Sequence, residues 1–135
     1  IFQCIEYAKI IKCQNIHIMS GTSKNKNGAN FREAYIENLR WACDQFAKDN
    51  LFVLIEPINQ RNIPKYFLSS TDMAVEIINS VKRENIKLLF DIYHHQIIRG
   101  DVTKYLESIL KVPFAYQKKS GANPAAYSSI SDPST

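Results

Sequence analysis

The sequence predicts an α/β chain built on a parallel sheet, and three observations carry that prediction. Helical and strand patterns alternate along the 135 residues, two of the strand segments are apolar on both faces, and the strand ends Gly21, Glu56 and Asp91 recur every 35 residues. Three β-then-α units of equal length are the pattern that right-handed crossovers in a parallel sheet produce. The pattern alone fits either a doubly wound sheet or a (β/α)8 barrel.

Each element has its own signal. The opening helix places Ile1, Ile5, Ala8 and Ile11 near one face, and NIHIM at 15–19 follows as a short strand stopped by Ser20 and Gly21. The loop TSKNKNGAN at 22–30 is polar. From Phe31, apolar positions 31, 35, 39, 42 and 46 form a helical stripe that can lie against a sheet. The charges between them make a solvated face, and Trp41 at this spacing is read as packing. LFVLIE at 51–56 is apolar on both faces, as in a strand covered from both sides. After the loop around Pro64, Ser70, Thr71 and Asp72 offer N-caps for a helix whose Ala74, Ile77, Ile78 and Val81 repeat at i, i+3, i+4 and i+7. KLLFD at 87–91 is a third buried strand. Gly100 and Asp101 then introduce a helix with Val102, Tyr105, Leu106, Ile109 and Leu110 on one face. From Pro113 the periodicity gives way to Ser, Pro, Ala and Gly, so residues 1–112 read as the folded domain and 113–135 as an irregular tail.

Composition narrows the functional classes. A 45% hydrophobic content suffices for one core of ordinary domain size. No stretch approaches the roughly 20 apolar residues of a membrane span, and no secretory leader opens the chain, so a cytoplasmic protein with no membrane partner is expected. Cys4, Cys13 and Cys43 form an odd set without a CxxC pair, which suits reduced thiols. The net charge of +4 is scattered, with Lys118 and Lys119 the only adjacent cations, and no nucleic-acid partner is expected. The chain starts at Ile1 inside a helical pattern, and the sequence is read as incomplete at its amino end.

The chemistry is expected at the carboxyl ends of the strands, where loops and polar groups converge in both architectures. In LFVLIEPINQRN, an apolar run delivers Glu56 to such an end, and a carboxylate there is costly to bury without a partner. Asp91 stands at the next strand end. Two carboxylates from neighbouring strands make a candidate divalent-metal or acid-base site.

Three segments carry a more specific signal: NIHIMSG at 15–21, ENLRWACDQFAKDNLFVLIEPINQRNIPKYFLSSTDMA at 37–74, and IKLLFDIYHHQIIRGDVT at 86–103. Together they resemble the hydroxypyruvate isomerase family of the xylose-isomerase-like (β/α)8 barrels, over about residues 1–112. The resemblance implies a TIM-barrel fragment of about three βα units, corresponding to strands 4 to 6, with the barrel incomplete. It implies interconversion of hydroxypyruvate and tartronate semialdehyde, as in glyoxylate metabolism, with a Mg or Mn ion. Glu56 matches a residue that is both metal ligand and acid-base catalyst, Asp91 matches a second ligand, and His94 matches a substrate-binding position.

Physical reasoning adds supporting roles. Moving a proton between adjacent carbons needs a carboxylate base and a cation over the two oxygens. Arg61 is a candidate fork for the carboxylate of a small hydroxy-oxo acid. Asn59 and Gln96 are candidates to orient the carboxylates, whereas His17 and His95 are read as structural. The family's ligands on the seventh and eighth strands fall outside this pattern, so impaired activity is expected of the chain alone. Two further readings are a non-catalytic interaction fragment and a metal-dependent nuclease of the endonuclease IV type, which would need additional ligands and a basic groove.

Overall fold

The computed structural model describes residues 1–22, 28–109 and 114–117. Along the chain these form α1 (Phe2–Ile11), β1 (Asn15–His17), α2 (Gly28–Ala47), β2 (Phe52–Ile55), α3 (Thr71–Val81), β3 (Ile86–Asp91), α4 (Ile92–Ile98), α5 (Val102–Ile109) and β4 (Phe114–Gln117). The four strands make one sheet in the order β1-β2-β3-β4, and every neighbouring pair is parallel. A doubly wound sheet reverses its strand order at a switch point, whereas this sheet advances by one neighbour each time, which is the barrel pattern. β1 and β4 are its edges among the described residues, so the barrel is open.

The helices cover the sheet as their apolar stripes require. On α2, Tyr35, Leu39, Ala42, Cys43 and Phe46 are buried, and on α3 so are Ala74, Ile77, Ile78 and Val81. They close over Val53 and Ile55 of β2 and Ile86, Leu88 and Phe90 of β3 in a single core. Each such Leu, Ile or Phe contributes on the order of 2 kcal/mol by leaving water. Asn85 ties the layers together, its Nδ2 donating to the Cys43 carbonyl at 2.8 Å and the Leu51 carbonyl at 3.2 Å.

Helix ends follow the polar residues expected to set them. Ser70 caps α3, its Oγ accepting the Met73 N–H at 3.1 Å. Gly21 adopts φ 77°, a left-handed turn available to glycine, and leads the chain away from β1. Two elements depart from the sequence reading. Residues 92–98 form a short helix that apolar periodicity did not mark, because Ile92 and Tyr93 are exposed. Phe114–Gln117, within the stretch expected to be irregular, pairs with β3 as a fourth strand. The rest of that stretch, residues 113 and 118–135, lies outside the described residues, as do 23–27 of the polar loop and 110–112, with Leu110 of the last helical stripe.

Candidate metal and acid-base site

Parallel strands present their carboxyl ends on one side, and three polar residues occupy successive ends: His17 closes β1, Glu56 follows β2 and Asp91 closes β3. Ile55 is fully buried and β2 ends there, so Glu56 is held at the rim of the core with 9% of its surface exposed. His17 Nδ1 lies 3.6 Å from Glu56 Oε2, and His94 Nε2 lies 3.8 Å from Oε1. One oxygen from each of Glu56 and Asp91 and one nitrogen of His94 fall within 4.8 Å of one another.

This arrangement perturbs Glu56. Burial, followed by the negative charge of Asp91, pushes its carboxyl up to about 7. The charge of Asp91 disfavours ionisation of Glu56, and a cation between the two carboxyls would relieve that repulsion. Hard oxygen donors at adjacent strand ends fit a divalent cation.

The loop after β2 builds the wall of the site. It is clamped to the end of β1 by Tyr66, whose buried hydroxyl accepts the Ser20 N–H at 3.1 Å, and by the Leu68 N–H donating to Ser20 Oγ at 3.1 Å. Asn59 is nearly inaccessible and organises the turn, its Oδ1 accepting the N–H groups of Arg61 at 3.1 Å and Asn62 at 3.0 Å. Its Nδ2 reaches His94 Nδ1 at 2.7 Å. Asp91 has two jobs, since its Oδ1 also accepts the His94 N–H at 3.1 Å and caps α4.

The structure brings Glu56, Asp91 and His94 close together, with Asn59 against the histidine ring. Arg61 is exposed on the turn, outside the close group. Gln96 is exposed too, with its amide beside Gly100 at the far end of α4.

The two histidines read as structural separate here. His95 is 2% exposed, meets Thr71 Oγ1 through Nδ1 at 2.9 Å and packs between Phe90 and Tyr105. His17 instead faces Glu56, with burial lowering its pKa, and its buried Nε2 has no hydrogen-bond partner among the described residues. The structure places His17 at the end of β1 in register with Leu54, two residues before Glu56.

An open parallel βα sheet with carboxylates at its strand ends defines a (β/α)-barrel protein with a candidate metal site. The chain belongs to the xylose isomerase-like TIM-barrel family, whose model matches residues 1–123. It is 41% identical over 106 residues to a 2-oxo-tetronate isomerase from Cupriavidus necator, covering 78% of this chain and 41% of that protein. It is 37% identical over 99 residues to a provisionally named hydroxypyruvate isomerase from Caenorhabditis elegans, covering 73% and 38% respectively. Among solved structures, an AP endonuclease of family 2 from Brucella melitensis superposes with a TM-score of 0.81 at 30% identity, covering 90% of this chain and 51% of that one. The chain therefore spans about two-fifths of the length of these two isomerases. Among the described residues no helix is long and apolar enough to cross a membrane.

Proposed function

We propose that this segment supplies the metal-binding and first acid-base half of an aldose-ketose isomerase acting on a small hydroxy-oxo acid such as hydroxypyruvate. The observation that carries the reading is the pairing of Glu56 with Asp91 at adjacent strand ends, with the Glu56 carboxyl pushed to about 7. Isomerase-named relatives support the reaction class.

Glu56 and Asp91 would hold the divalent ion. When bound, such an ion stabilises the negative charge that develops on the substrate's two adjacent oxygens. Glu56 takes the proton from the hydroxymethyl carbon, leaving an enediolate, and a proton returns to the neighbouring carbon to complete the isomer. A carboxyl with a pKa near the working pH is suited to both directions of that transfer. His94 stands beside Glu56 to meet a substrate oxygen, and Arg61 supplies a cation at the rim for the substrate's carboxylate. The second acid-base group of the reaction is not assigned to any residue of this chain, and the chain by itself is an impaired catalyst. The nuclease name of the Brucella structure is not carried over, because the close donor group among the described residues is one His and two carboxylates.

The test is a graft. The matched segment of the Cupriavidus protein is replaced by residues 1–112, and isomerisation of 2-oxo-tetronate and hydroxypyruvate is followed. The graft is expected to turn over one of these substrates and to lose at least 100-fold in kcat on Glu56→Gln, the scale of removing a general base. Unchanged turnover in that variant would remove the role given to Glu56.

A further inference from the structure

The turn after β2 decides which nitrogen of His94 carries the proton. Asn59 Oδ1 faces two backbone N–H groups, those of Arg61 and Asn62, and only an oxygen can accept both. The amide orientation is thereby fixed, and it is the NH2 group that meets His94 Nδ1 at 2.7 Å. The backbone N–H of Asn59 points at the same nitrogen from 3.5 Å, and a backbone N–H can only donate. Two donors converge on Nδ1, which leaves it the role of acceptor. A neutral imidazole whose Nδ1 is an acceptor carries its hydrogen on Nε2. That nitrogen is the one 3.8 Å from Glu56 Oε1.

We infer that Asn59 is a positioning residue that locks His94 in the Nε2–H tautomer, so that the substrate-binding role the family resemblance implies for His94 is carried by an N–H, and Nε2 has no lone pair to offer the cation. Proximity alone would suggest the opposite, since His94 completes a three-residue group of potential ligands. Ligation through Nε2, however, requires a lone pair there and the hydrogen on Nδ1, facing two donors. Turning the ring away would break the Asn59 contact at Nδ1. The three residues divide the work: two carboxylates for the ion, one N–H for an oxygen whose charge grows as the proton leaves the neighbouring carbon. A substrate with an oxygen on each of two adjacent carbons satisfies both. The cation and the oxygen that accepts from Nε2 rest on the isomerase reading; the tautomer does not.

The experiment is nitrogen-15 NMR of the metal-free 135-residue chain, with His94 assigned by comparison with His94→Gln. The expected spectrum shows a pyridine-type Nδ1, a protonated Nε2, and a coupling across the hydrogen bond between Asn59 Nδ2 and His94 Nδ1. A folded chain with Nδ1 protonated, or without that coupling, overturns the inference. Asn59→Asp places a carboxylate oxygen against Nδ1 and is expected to invert the tautomer; retention of Nε2–H in that variant overturns the role of Asn59. Pulsed EPR of the Mn-loaded chain adds a second readout. Wild type is expected to show no coupling to a ligated imidazole nitrogen and Asn59→Asp to gain one, whereas such a coupling in wild type overturns the exclusion from the ligand set. Failure to bind Mn at all counts against the proposed function, while the NMR result stands independently.

Discussion

Glu56 is where the free energy of the fold and the chemistry of the site meet. Its carboxyl, ordinarily near 4.5, is moved to about 7 by burial and by Asp91. Between those values the folded chain holds a proton that the unfolded chain has released, so stability falls as pH rises from about 4.5 to 7 and is level above. With chelator present, Glu56→Gln is expected to abolish this dependence and, after allowing for solvent screening of a partly hydrated group, to raise stability at pH 8 by about 1–2 kcal/mol. Urea unfolding of both proteins at pH 5 and pH 8 checks it, and an equal pH response in the two would contradict it. Glu56 was legible in the sequence because an ionisable residue ending an apolar run is costly, and Asp91 because it repeats that placement one unit later. The importance of His17 was not legible, because a lone histidine in a short strand is usually satisfied by its surroundings. The particular hold of Asn59 on His94 depends on a loop fold that spacing does not reveal.

At the scale of elements, α2 and α3 were legible because their apolar stripes are regular: positions 35, 39, 42 and 46 of α2 and 74, 77, 78 and 81 of α3 are buried as the periodicity selects, while Phe31 is only half-buried and Cys43, beside the stripe, is fully buried. Ile77 is fully buried in α3, and Ile77→Ala is expected to cost about 2–5 kcal/mol. Ser70→Ala removes the cap of the same helix and is expected to cost about 1 kcal/mol. Chemical denaturation of the two variants orders them, and a capping loss equal to the core loss would contradict the packing account. The short helix α4 escaped notice because it is only seven residues long and partly exposed. Its signal lay instead in its ends, with Asp91 capping one and Gly100 at φ 77° following the other. The strand β4 escaped for a different reason: its sequence is short and adjoins Ser- and Pro-rich residues, so only pairing with β3 identifies it.

For the whole molecule, the 35-residue interval made the parallel βα repeat visible, but the choice between barrel and doubly wound sheet needed the strand order. Among the described residues the open sheet leaves edges at β1 and β4, and α1 exposes Phe2, Tyr7, Ile10 and Ile11. An ion that joins Glu56 to Asp91 crosslinks the ends of β2 and β3 and favours the folded state. At about 100 times its dissociation constant, Mn is expected to stabilise the chain by about 2.7 kcal/mol, seen as a higher midpoint of a cooperative melt. The most direct measurement of the central claim is an EPR titration of Mn against the 135-residue chain and three variants. One ion per chain is predicted, bound at least tenfold more weakly by Glu56→Gln and by Asp91→Asn, the latter retaining a residue that can cap α4, and little changed by His94→Gln. Equal Mn affinity in wild type and both carboxylate variants would contradict the account.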